Sequence, residues 1–165
     1  MKSDSNITIK EVISSDELKK FVMFPHTLYK DSKYWVAPII KEELEVLNKE
    51  TNPVFNNAVA HYFLAYIDGE IVGRIAALIN WIEVKDLKKK KVRFGWFDFI
   101  DDQNVSKALL EKVIEIGKKN NLEFIEGPVG FSNMDKAGML IKGFEKKNTM
   151  ITTVSYTHLR AHETR

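Results

Sequence analysis

An Asp-Gly pair at 68–69 stands between two apolar runs, and the segment from His61 to Asn80 reads HYFLAYIDGEIVGRIAALIN. Asp-Gly readily supplies the positive φ angles of a type I′ turn, so this segment predicts a β-hairpin. A third apolar run, Arg93 to Ile100 (RFGWFDFI), follows after a basic connector.

The other elements carry their own start and stop signals. Ile7 to Ile13 alternates as a half-buried first strand should. Ser14 sits three residues before Glu17, a capping-box start to a helix with Leu18, Phe21, Val22 and Leu28 at its apolar positions. Pro25 inside that pattern predicts a kink or restart. Tyr34 to Pro38 reads as a loop, Ile39 to Leu47 as a second helix, and Asn52-Pro53 as its end. The connector Trp81 to Val92 holds Lys88-Lys89-Lys90-Lys91, which reads as a solvated loop because neither a basic helix face nor an aromatic platform accompanies it. Asp102 or Asn104 can cap the next helix, where Val105, Ala108, Leu109, Val113 and Ile116 form one stripe. Leu122 to Gly127 predicts a strand and Gly127-Pro128 a sharp exit; Ser132 and Asp135 have the spacing of a second capping box, opening a short helix through Met139 to Ile141.

Composition narrows the function classes. A chain of 165 residues, 44% hydrophobic, builds one sizeable core. Its 25 basic and 23 acidic residues leave a formal charge of +2, which makes no global electrostatic case for nucleic acid or an anionic membrane. Cysteine is absent, excluding disulfides and thiolate chemistry, and His26 and His61 with scattered carboxylates motivate no metal site. No apolar segment reaches the ~20 residues that a membrane-spanning helix needs, and the polar N-terminus is no signal peptide, so a cytoplasmic location is the expectation.

The element order β-α-α-β-β-β-α-β-α resembles the fold of the Gcn5-related N-acetyltransferases (GNAT), an α/β (α+β) architecture with a mixed central sheet flanked by helices. The segments FPHTLYKDSKYWVAP, NPVF, FLAYIDGEIVGRIAALIN, RFGWFDFIDD and GPVGFSNMDKAGMLIKGFE extend the resemblance to a little-characterised family of bacterial GNAT-like proteins, over roughly residues 7–151. Residues 154–165, VSYTHLRAHETR, instead resemble a translated sequencing adapter. The expected organisation is a GNAT-like domain at 1–153, the N-terminal part of a longer protein with its C-terminal strands truncated, and a non-native tail at 154–165.

The resemblance implies transfer of an acetyl group from acetyl-CoA to an amine, by direct attack on the thioester. In such enzymes the strands flanking the crossover helix splay apart, and backbone groups of the earlier strand bind the cofactor and polarise its carbonyl; the candidates here are Phe97, Asp98 and Phe99. Asp98 and Glu126 are the carboxylates that could take a proton, and Ser132, Asn133 and Asp135 could line a substrate pocket. Against this, Asp98 and Arg74 are charged exceptions in consecutive apolar strands and read first as a structural ion pair.

One departure from the family pattern is plain. The crossover helix opens with Ile100-Asp101-Asp102-Gln103-Asn104-Val105-Ser106-Lys107-Ala108, without the glycines and arginine of the family's pyrophosphate loop. Two carboxylates stand where phosphates are otherwise held. The alternative function is therefore a non-catalytic GNAT-like module that packs on a catalytic partner domain or binds a small ligand. A second GNAT-like domain downstream is the expected partner; nucleic acid and membrane are not expected, and the amine acceptor, small molecule or protein, stays open.

Overall fold

The computed structural model describes residues 6–132, 135, 137–140, 142, 143 and 145–147. In chain order the elements are β1 (Thr8–Glu11), α1 (Ser15–Leu28), α2 (Ile40–Leu47), a 3-10 turn at Pro53–Asn56, β2 (Ala58–Ile67), β3 (Glu70–Asn80), α3 (Trp81–Lys85), β4 (Lys91–Phe99), α4 (Gln103–Lys119) and β5 (Phe124–Glu126). The strands form one sheet in sequential order, antiparallel from β1 to β4, with β4 and β5 parallel after the α4 crossover. The predicted hairpin forms on Asp68 and Gly69, both at positive φ (50° and 86°).

Each face of the sheet buries its own core. On one side Val105, Leu109 and Val113 of α4 pack on Ile75, Val92 and Phe99. On the other, Phe21 and Val22 of α1 and Leu47 of α2 cover Tyr62, Leu64 and Leu78. The α4 stripe repeats every three to four residues while the strand residues alternate, so both periods serve one interface.

The capping box at Ser14 and Glu17 forms as expected, with each side chain accepting from the other's backbone N–H. Pro25 does not restart α1, which continues to Leu28, and part of the reason lies outside the helix. Proline has no N–H, so the Phe21 carbonyl one turn earlier loses its intrahelical donor. Arg74 of β3 replaces it, donating through Nη1 at 2.8 Å.

Other boundaries shift for identifiable reasons. β4 begins at Lys91 rather than Arg93 because Lys91 is buried among carboxylates; it leaves the expected solvated run to Lys88, Lys89 and Lys90. The connector also holds α3, capped by the Asn80 side chain on the N–H groups of Ile82 and Glu83, an Asn-x-x-Glu signal that the reading of this segment as a loop passed over. The helix expected from Ser132 to Ile141 is absent at residues 137–140, which are irregular. A capping contact is nevertheless present, as Asp135 accepts from the Ser132 N–H at 2.7 Å.

A bulge in β4 sets the geometry of everything near Asp98. Arg74 pairs with Asp98, but Ala76 pairs with Gly95, so Trp96 and Phe97 together oppose Ile75 alone. Trp96 takes the left-handed conformation, φ 47°. The extra residue flips the alternation: Phe94 packs on the α4 side, while Trp96 packs on the α1–α2 side, where Asp98 meets Tyr29. A regular strand would have put Phe94 on the same face as both.

Candidate functional site

Arg74 and Asp98 are the charged centre of the sheet, at 5% and 3% exposure. Register puts them directly opposite, and Asp98 Oδ2 accepts from Arg74 Nε at 2.8 Å and Nη2 at 2.7 Å. The other carboxylate oxygen, Oδ1, accepts from the Tyr29 hydroxyl at 2.9 Å. With Nη1 on the Phe21 carbonyl and the guanidinium over the Phe21 ring, the group ties α1 to the middle of β3 and β4. The strong polar directions of both side chains are spent inside the fold, as burial of two charges requires.

A second, partly buried set adjoins the bulge. The Trp96 indole N–H donates to Glu43 of α2 at 2.7 Å, so a buried acid holds the residue with the left-handed backbone. His26 stands edge-on to Trp35, and its Nε2 is buried without a hydrogen-bond partner among the described residues. Burial, then the Arg74 charge, push the His26 imidazole below its ordinary value of 6.5. The fold therefore favours neutral His26 while the unfolded chain binds the proton more readily, so stability falls as pH drops through and below 6.5. Denaturant titrations at neutral pH and at about pH 5.5 should show that loss, and His26→Gln should reduce it. An unchanged pH slope in the variant would remove His26 from the account.

The β4–β5 boundary decides what the sheet exposes. The two strands pair only from Lys91–Phe124 to Arg93–Glu126. The chain then passes a cis Gly127-Pro128 bond and stays against β4 for one more contact, the Val129 N–H on the Phe94 carbonyl at 2.8 Å. The approach is so close that a Cβ at Gly95 would lie 2.6 Å from the Val129 carbonyl oxygen. Beyond Gly95 no described strand lies on the β5 side of β4. Ile100 donates to Val72 of β3, so alternation turns the Asp98 backbone towards β3 and those of Phe97 and Phe99 towards the open edge.

The remaining sequence-selected residues separate from this edge. Glu126 is ion-paired to Lys91 at 2.6 Å and Arg93 at 3.2 Å, and the Lys91 hydrogen bond holds its carboxyl below the ordinary range, which weakens it as a proton acceptor. Ser132 and Asp135 engage each other, and Asn133 lies outside the described residues, as do 154–165. At the start of α4 the Asp102 carboxylate accepts from the Asn104 N–H at 2.8 Å, closing with its own charge an amide otherwise free for an anion. Tyr29, Glu43 and Glu83 are the functional-looking groups that sequence reasoning missed, and it weighs His26 only as a metal ligand. Of these only Glu83 had a local signal, the Asn80 cap.

No family model matches the chain. It is 31% identical over 137 residues to protein YghO of Escherichia coli, covering 83% of this chain and 35% of that protein. It is 27% identical over 144 residues to the bacterial ceramide synthase of Caulobacter vibrioides, covering 87% of this chain and 38% of that one. The chain thus spans little more than a third of the length of the curated relatives it matches. Among solved structures, a tandem GNAT protein from the clavulanic acid biosynthesis pathway aligns with TM-score 0.55 at 11% identity, over 71% of this chain and 34% of that one. A predicted acetyltransferase with acetyl-CoA from Clostridium acetobutylicum aligns with TM-score 0.54 at 13% identity, over 73% and 79%. At such identities the likeness speaks for architecture, and with the sheet order, the α4 crossover and the parallel β4–β5 pair it makes this chain a domain of the GNAT-like acetyltransferase fold.

Proposed function

We propose that the intact protein is an N-acyltransferase that moves an acyl group from a CoA thioester to an amine. The observation that carries this reading is the edge of β4 after the bulge that no described strand covers, where alternation from the Ile100–Val72 hydrogen bond turns the N–H groups of Phe97 and Phe99 away from β3. Donors held there suit a thioester carbonyl, whose oxygen gains charge as the amine attacks, the C–N bond forms and the thiolate leaves. The likeness to a ceramide synthase agrees with this chemistry, because a ceramide is the amide of a fatty acid and a long-chain amino alcohol. It also widens the donor from acetyl-CoA to longer acyl thioesters.

In this reading Asp98 is a positioning residue, since its carboxylate is occupied by Arg74 and Tyr29. Glu126 serves Lys91 and Arg93 in the same way. The Asp102 cap favours a second reading for this domain taken alone, a GNAT-like module that leaves the CoA phosphates to a downstream domain. The tandem GNAT neighbour, of which this chain matches 34%, fits a second domain of this fold in the intact protein.

Two measurements test the pair of readings. Full-length protein given a long-chain acyl-CoA and a long-chain amino alcohol should release free thiol and form the amide. Calorimetric titration of this chain alone with acetyl-CoA should show no affinity in the micromolar range. Absence of turnover with long-chain and short-chain donors alike would overturn the enzyme reading. Micromolar, salt-weakened binding to this chain would overturn the division of labour and return the phosphates to α4.

A further inference from the structure

The near-neutral charge of the chain conceals a local asymmetry at one end of the sheet. The end of β3, α3, the start of β4, the end of α4 and the start of β5 all meet there. Residues 81–93 and 118–126 hold eight basic against four acidic residues, leaving seventeen against nineteen for the rest of the chain. Glu83 and Glu126 are consumed by buried Lys91 and Arg93, and Glu123 by Lys90, which leaves Asp86, exposed beside Leu87, as the fourth acid of this end. Lys88 and Lys89 are exposed and have no acidic partner within ion-pair distance among the described residues.

Bulky apolar side chains protrude among these lysines. Leu87 is 57% exposed, next to Ile82 at 43%, whose carbonyl accepts the Leu87 N–H. Phe124, 49% exposed, lies across from Lys90, whose carbonyl accepts its N–H. Lys118 and Lys119 close the patch from the last turn of α4. No helix of the described residues is long and apolar enough to cross a membrane.

We propose that this end of the domain is a docking surface for an anionic lipid bilayer. Lysines meet the headgroup charge while Leu87, Ile82 and Phe124 enter the boundary with the acyl chains, the combination that peripheral attachment requires. A bilayer answers both observations, its headgroups the lysines and its acyl boundary the protruding Leu87, Ile82 and Phe124; an acidic protein is the other outcome of the test. The proposal is independent of the reaction assigned above, and its test reads no turnover.

The test is co-sedimentation of the full-length protein with vesicles of phosphatidylcholine alone or mixed with phosphatidylglycerol. Binding is expected on the anionic vesicles only, weakened by salt. Lys88→Glu with Lys89→Glu should lower it about tenfold or more, and Leu87→Ser severalfold, with thermal unfolding unchanged because all three side chains are exposed. Undiminished vesicle binding by both variants, or none by the parent protein, would overturn the proposal. Lysine-dependent binding to polyglutamate without vesicle binding would overturn it too, and would make the partner an acidic protein.

Discussion

Asp98→Ala should destabilise the domain by about 3–5 kcal/mol, because it strands a guanidinium in the sheet and not merely because it removes an ion pair. Arg74 is 5% exposed and Tyr29 also loses the acceptor of its hydroxyl. Replacing both charges, Arg74→Met with Asp98→Leu, should cost clearly less than Asp98→Ala alone, since no buried charge is then left unpaired. It should still cost something, and the structure says where. The Phe21 carbonyl depends on Arg74 as its donor because Pro25 cannot supply one. Adding Pro25→Ala to the double variant should therefore recover about 1 kcal/mol by restoring an intrahelical N–H, a gain that should be smaller when Arg74 is present. Urea denaturation of these variants, with Pro25→Ala alone beside them, decides the matter. Equal effects of Pro25→Ala with and without Arg74 would show that the arginine does not replace the missing helix bond.

The coupling of Arg74 to Asp98 is legible in the sequence because both lie in consecutive strands of an antiparallel series, where one charged exception must answer another. The Asp68-Gly69 turn and the Ser14 capping box are legible for a similar reason: each is written within a few residues. What the sequence hides is the product of distant segments meeting. The one mark in RFGWFDFI is its isolated Gly95, which hints at an irregular strand without saying that Trp96 and Phe97 form the bulge, yet that one extra residue moves Phe94 away from the Asp98 face. Tyr29, 69 residues from Asp98, has no local mark of its role. The Ser132–Asp135 spacing misleads in the opposite direction, since its capping contact forms without a helix following it at 137–140. Capping signals state where a helix can begin, and packing decides whether it does.

Glu83→Gln should be the other severe substitution, costing about 3 kcal/mol, although the residue lies in a connector that reads as a basic loop. Its carboxylate sits 2.7 Å from Arg93 Nη2 and 3.4 Å from Lys91 Nζ, and those two side chains are 3% and 6% exposed. Without it, Lys91 and Arg93 keep Glu126 as their carboxylate among the described residues, with a side chain that is 44% exposed and a hold diluted by water, while Arg93 also keeps the Gly130 and Phe131 carbonyls. By the same reasoning Glu126→Gln should cost only about 1 kcal/mol, even though its contact with Lys91, at 2.6 Å, is the shorter one. Burial, not distance, ranks the two. The pH dependence separates them further: the depressed Glu126 carboxyl contributes stability above its ordinary value of 4.5 that is lost as pH falls through its folded value, and Glu126→Gln should flatten that acid limb. Denaturant midpoints for the two variants at neutral pH give the ranking directly. Equal losses would mean that the network is held by contact length rather than by desolvation. If the loss in Glu83→Gln comes from uncompensated charge, adding Lys91→Met should return part of it, since the variant would then hold one buried cation fewer.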